Sequence, residues 1–263
     1  MILTFYKYGT GLLSNLSTSN KHQIFDLFFM FIMLDGIDGC GKSTIIQAWK
    51  DYLTTQGNAI FDLKKYWQET GRYPEFSELK NYTFIFSCEP TYVGIGNVIR
   101  QELVKNGNNY PAKATAEAFS LDRLILYTKL IIPLIKNGCC VIQDRGVSSS
   151  LAYQTTQNPE LTLKFLSSLT GNKLALTYRP DYLVLLDLKP EEAIKRLGKR
   201  TNKKDDAIFE KLSFLKKLYK QYHSSAFKKI FTKHGSKINL LPTNVKIDIM
   251  KQQAVDLLKT ILN

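Results

Sequence analysis

The sequence is poor in the residues that build metal or disulfide scaffolds. Four cysteines (Cys40, Cys88, Cys139, Cys140) and three histidines (His22, His223, His234) occur in 263 residues. There is no C-x-x-C pair and the histidines stand alone. Neither a zinc site nor a disulfide framework is supported, so a reducing compartment, the cytoplasm, is expected. Long hydrophobic runs are missing as well. The stretch 24–34 is too short to span a bilayer and carries Asp26, so no membrane span is expected. It cannot be a removed signal core, because cleavage there would cut into the first strand. No repeat or low-complexity segment occurs. The formal net charge is +13, yet the basic residues are scattered rather than clustered. That balance suits anionic substrates and predicts no specific nucleic-acid surface.

With 44% hydrophobic residues, a chain of this length can bury one full core. Its organising stretch is Gly36-Ile37-Asp38-Gly39-Cys40-Gly41-Lys42-Ser43-Thr44, which fits G-x-x-x-x-G-K-[ST]. Residues 30–34 before it read as a buried strand. Residues 45–53 after it read as a helix with Ile45, Ile46, Trp49 and Leu53 on one face. Strand, glycine loop and helix together are the context of a phosphate-binding loop. Its backbone N–H groups turn inward on phosphates, Lys42 reaches the β- and γ-phosphates, and the Ser43 hydroxyl can ligate Mg²⁺.

Further along, 59–61 reads as a second strand. The stretch 62–82, charged and aromatic with Gly71 and Pro74 as breakers, reads as an inserted helical excursion on the surface. A strand at 83–87 ends on Cys88-Glu89-Pro90-Thr91, at the edge where open α/β sheets bind ligands. A long helix is expected over 115–136, with Phe119, Arg123 and Tyr127 four residues apart on one face. The apolar strand 139–143 closes on Asp144-Arg145, where the carboxylate can orient Mg²⁺ or its waters. A fifth strand spans 180–187, and 238–241 with a helix over 247–262 completes the alternation. The basic run from Arg196 to Lys204 reads as a lid over transferring phosphate. The expected fold is α/β, a three-layer P-loop NTPase fold: a parallel five-stranded sheet, helices on both faces, and a short lid at 196–208. Residues 1–29 read as a dispensable extension, either a disordered tail or a start placed ahead of Met30. Residues 30–263 form one domain.

With these motifs in order, the sequence resembles the thymidylate kinase family from about Phe31 to the C-terminus, interrupted at 62–82. The most specific stretch is 119–154: F-x-x-D-R, a helix containing Pro133, a strand, D-R, then S-S-L-A-Y-Q. The resemblance implies phosphoryl transfer from ATP to dTMP with Mg²⁺, by a homodimer. It implies that Phe119 stacks on thymine, Arg123 bonds its O4 edge, and Ser149, Ser150 and Gln154 lie about the base. Tyr153 would sit under the sugar, Glu89 near the sugar and metal waters, and Asp38 by the 3′-hydroxyl. Arg145 would clamp the acceptor phosphate. Since Gly39 and Cys40 leave no arginine in the loop, the catalytic arginine would come from the lid, Arg200 first and Arg196 second. Ser43 and Asp144 would hold the metal.

Two positions depart from the family pattern. Cys88 stands where an arginine usually precedes Glu-Pro, leaving one acceptor-phosphate clamp missing or supplied elsewhere, by Arg100 or the insertion. Gly146 stands where an aromatic follows D-R, with looser local packing expected. Two other readings stay open at this level. One is a deoxynucleoside kinase on the same fold with Glu89 as general base. The other is a nucleotide-binding module without transferase activity.

Overall fold

The computed structural model describes residues 30–105, 107–199 and 211–263. The expected extension over 1–29, and Arg200 with the rest of the expected lid, lie outside the described residues. Among the described residues there are six strands: β1 (Phe31–Asp35), β2 (Ile60–Asp62), β3 (Phe84–Cys88), β4 (Cys140–Asp144), β5 (Tyr182–Asp187) and β6 (Lys237–Pro242). They form one parallel sheet in the order β2-β3-β4-β1-β5-β6. The expectation of five strands is thus corrected to six. The added strand, β6, pairs with β5 from Tyr182–Lys237 to Asp187–Pro242. It is an edge strand in which only Leu241 is buried, so it lacks the continuous apolar run that marks a central strand.

The helices are α1 (Lys42–Thr55), α2 (Leu63–Thr70), α3 (Phe76–Leu79) and α4 (Gly94–Val98, running into the π turn Ile99–Leu103). Next, α5 (Ala112–Leu126) continues through the π turn Tyr127–Ile131 into Ile132–Lys136. Pro133 lacks an N–H and its ring crowds the carbonyl of Lys129, which a locally widened turn accommodates. Then come α6 (Val147–Ser149, widening over Ser150–Gln154 and ending as Thr155–Gln157), α7 (Leu163–Ser168) and α8 (Thr170–Thr177). The chain closes with α9 (Pro190–Gly198), α10 (Leu212–His223), α11 (Ser225–Thr232) and α12 (Ile247–Leu262).

Every residue of β1 and β3 is buried, so both faces of the sheet centre are covered, as a parallel sheet with helical crossovers requires. The α1 face is the expected one: Ile45, Trp49 and Leu53 are buried and Ile46 packs against them. Trp49 Nε1 donates to the Ala254 carbonyl at 2.7 Å, which ties α1 to α12. At α8, a Cβ on Gly171 would lie 1.8 Å from the Ser120 carbonyl oxygen. Only glycine permits that approach of α8 to α5.

The 62–82 stretch follows directly on β2, the second strand expected at 59–61, and forms α2 and α3 along the β3 side of the sheet. It is surface structure with anchors: Leu63, Trp67 and Leu79 are fully buried. Asp62 caps α2 by accepting from Lys65 N and pairs with Lys50 at 2.5 Å.

Candidate active site

The loop from Gly36 to Gly41 leaves the C-terminal end of β1, between β4 and β5. Gly36 holds φ +148°, and a Cβ there would meet the Leu186 carbonyl at 2.9 Å. The loop therefore lies flat against β5 only with glycine at that position. Lys42, buried at the start of α1, donates to the carbonyls of Gly36 (2.8 Å) and Ile37 (2.9 Å). Its ammonium is thus folded over the loop interior. Ser43 is exposed on the first turn, Thr44 is half-buried, and Cys40 is fully buried beside Lys42.

Arg145 follows β4 with φ +65°. A non-glycine residue there carries backbone strain of about 1–3 kcal/mol. Its own N–H donates to the Leu34 carbonyl at 2.9 Å, which holds the turn against β1. The guanidinium pairs with Asp38 of the loop, stands 5.3 Å over the Tyr153 ring, and reaches Ser149 Oγ at 3.4 Å. Tyr153 in turn donates to Asp38 at 2.9 Å. Burial opposes ionisation of Asp38, but the charges of Arg145 and Lys42 and the Tyr153 hydroxyl win and hold its carboxyl below the usual range.

A second carboxylate–arginine pair lies at the end of β3. Arg123 Nη2 is 2.6 Å from Glu89 Oε2, and both side chains are buried. The same guanidinium donates to Ser150 Oγ at 2.9 Å and to Asn172 Oδ1. Here desolvation wins: Glu89 is pushed up to about 7 despite Arg123. Gln143 joins the two pairs, because its Nε2 donates to Glu89 Oε1 and to the Arg145 carbonyl, both at 3.0 Å. The space it uses depends on Gly146. A Cβ at 146 would meet Met33 Cε at 2.5 Å and Gln143 Nε2 at 2.8 Å. The expected loosening at Gly146 is therefore not seen; Met33 and Gln143 fill the place an aromatic would take.

The remaining sequence-predicted residues divide into two groups. Phe119 is half-buried on the same α5 face as the fully buried Arg123 and Tyr127. Gln154 is buried with neither amide atom hydrogen-bonded among the described residues. Ser149 bonds Asp35 at 2.9 Å rather than standing free. Arg196 lies apart from the two pairs, its guanidinium bonded to the Thr243 carbonyl at 2.5 Å. α9, the helix that leads into the expected lid, touches the loop before the lid begins: a Cβ on Gly39 would meet the Ala193 carbonyl at 2.8 Å.

Asp35 was not anticipated. It is fully buried at the end of β1 and accepts from Gly36 N (2.8 Å), Ser148 (2.5 Å), Ser149 (2.9 Å) and Tyr222 of α10 (2.9 Å). The signal was available, since a carboxylate ends this apolar strand as Asp144 ends β4. Gln143, Asn172 and Tyr222 carried no such signal.

No three His, Cys, Asp or Glu side chains stand together as a metal cage among the described residues. Asp144, however, has a buried Oδ1 with no hydrogen-bond donor among them. It is opposite Leu34 in the sheet register, one strand from the loop. An acceptor-only atom left bare beside a phosphate loop suits a cation such as Mg²⁺, which takes one or two carboxylates and otherwise phosphate oxygens and water.

The family model for thymidylate kinase matches residues 75–247. A probable thymidylate kinase of Methanococcus aeolicus is 30% identical over 225 residues, covering 86% of this chain and 93% of that protein. One from Thermococcus onnurineus is 34% identical over 195 residues, 72% of this chain and 79% of its own. The thymidylate kinase of Clostridium novyi is 28% identical over 233 residues, 87% and 98% of the two chains.

Proposed function

Because the chain belongs to the thymidylate kinase family and so transfers the γ-phosphate of ATP to dTMP, giving dTDP, we propose how its own residues divide that reaction. The attacking group is a phosphate oxygen already ionised at neutral pH, so no general base is needed. Position and charge neutralisation supply the catalysis.

The loop amides and Lys42 would hold the β- and γ-phosphates. Lys42 gives up two neutral carbonyls for phosphate oxygens, a stronger charge-assisted bond. Arg145 would bind the acceptor phosphate, with Asp38 and Tyr153 orienting its guanidinium and lying beside the sugar. Phe119 would stack on thymine, while Arg123, Ser150 and the unpaired amide of Gln154 would read its polar edge. Mg²⁺ would be held by Ser43 and Asp144, and when bound it would neutralise charge on the transferring phosphate. The lid arginine, Arg200 first and Arg196 second, would complete that neutralisation. A homodimeric, cytoplasmic enzyme is the setting that the resemblance favours.

The observation that carries this reading is the Asp38–Arg145–Tyr153 cluster against the phosphate loop, with Gln143 leading from it to Glu89. It leaves a cationic group between donor loop and acceptor side. A general-base role for Glu89 is disfavoured, since Arg123 takes one of its oxygens and Gln143 the other. The test is acceptor choice with ATP and Mg²⁺. Turnover of dTMP without thymidine supports the assignment, and turnover of thymidine alone would return Glu89 to the role of base.

A further inference from the structure

Cys88 and the stretch 62–82, which interrupts the family resemblance, meet at one place. Cys88 ends β3 opposite Asp144 in the register, two strands from the phosphate loop. Neighbouring strands are about 4.8 Å apart, so an acceptor phosphate in line with the loop lies over the ends of β4 and β3. Arg145 covers the β4 side. On the β3 side the strand ends in a neutral thiol, buried and pushed up to about 12 by that burial. It contributes no charge to an anion.

Two cations flank this end. Arg100 stacks on the Tyr92 ring with its guanidinium carbon 3.9 Å from the centroid. It is committed to the chain, donating to the carbonyls of Pro90 and Thr91. Lys64, the second residue of α2, approaches the same ring at 5.4 Å. Unlike Lys50, which is paired with Asp62, Lys64 is exposed and has no carboxylate partner among the described residues. It is carried to the ligand edge of the sheet because α2 begins directly after β2, which is parallel to β3.

We propose that Lys64, delivered by α2 at the start of the 62–82 stretch and aligned by Tyr92, is the second cation on the 5′-phosphate of dTMP, across from Arg145. Arg100 is the structural member, fixing the carbonyls of the 90–91 turn and the ring on which Lys64 rests. The inference rests on the acceptor placement proposed above. It accounts together for the charged 62–82 stretch and for a cysteine at 88 where the family pattern has an arginine.

The test is calorimetric binding of dTMP and of thymidine to the full chain and to Lys64→Ala and Lys64→Arg, with unfolding temperature and dTMP turnover measured alongside. Lys64→Ala is expected to weaken dTMP roughly tenfold, the loss of one charge-assisted contact, and to leave thymidine unchanged, while Lys64→Arg stays near wild type. Equal weakening of both ligands would overturn the proposal, since Lys64 would then merely support the turn. So would dTMP binding by Lys64→Ala within twofold of wild type. A wild-type chain that fails to turn over dTMP would instead strike the acceptor reading itself, and the inference with it.

Discussion

The two carboxylate–arginine pairs have the same chemistry and opposite character. Asp38–Arg145 is about a quarter exposed at both side chains, and its carboxyl is held below the normal range. Glu89–Arg123 is 3% and 1% exposed, and its carboxyl is raised to about 7. Burial opposes ionisation of both carboxyls, but Asp38 has two cations and the Tyr153 hydroxyl to outweigh it, whereas Glu89 has the one arginine and Gln143 and also feels the charge of Asp122. In the first pair water still shares the charges, so the arginine can leave its carboxylate for a phosphate at modest cost. In the second, separating the charges strands one of them in an apolar interior. The exposed pair is suited to rearrange during turnover, and the buried pair to hold the floor of the acceptor side in place. Gln143, bonded to Glu89 and to the Arg145 backbone, transmits that rigidity from one to the other.

The sharpest way to break this contrast is Arg123→Ala. It leaves Glu89 buried without its counter-charge, and should cost about 3–5 kcal/mol. For a domain of this size the unfolding temperature should drop by roughly 10 °C. A drop of a degree or two would mean that the buried pair is not structural. Arg145→Ala should do the reverse: little change in thermal unfolding, but a loss of about 10²–10³ in kcat/KM for dTMP, as for a missing oxyanion donor. Steady-state kinetics would check it.

The pairs should also respond to pH with opposite sign. Glu89 binds its proton more readily folded than unfolded, so its contribution to stability falls as pH rises from about 4.5 to about 7 and is flat above. Asp38 binds its proton less readily folded, so its contribution is present above the ordinary value of 3.8 and lost as pH falls through its depressed one. Denaturant titrations of wild type and Glu89→Gln between pH 4.5 and 8 should differ in slope only below about 7. The smallest effect is expected for Tyr153→Phe, which removes one hydrogen bond to Asp38. A loss of about 0.5–1.5 kcal/mol in dTMP transition-state binding is in range, visible as a several-fold change in kcat/KM.

Much of the phosphate side was legible from residue order. The glycine loop, the buried face of α1 and the acidic end of β4 each depend on neighbours within a few positions, so spacing alone locates them. Arg123 shows where that legibility stops. Its place on the Phe119–Tyr127 face followed from helical periodicity, but its partners Glu89, Ser150 and Asn172 come from three other elements. Asp35 carries the same strand-end signal as Asp144, but its role depends on partners as distant as Tyr222, 187 residues away. The edge strands were legible as short apolar stretches at 59–61 and 238–241, but the membership of β6 in the sheet was not, since it buries one residue in six.

Residue order therefore sufficed for the loop that grips a nucleotide, because its backbone geometry is written by consecutive glycines and a strand–helix junction. Which arginine meets which carboxylate came only with the folded chain. Asp38 and Arg145 are 107 residues apart, and parallel pairing of β1 with β4 is what brings them together. The set of charges gathered around each buried carboxyl, which holds Asp38 low and leaves Glu89 high, is likewise a property of packing, since those partners come from distant parts of the chain.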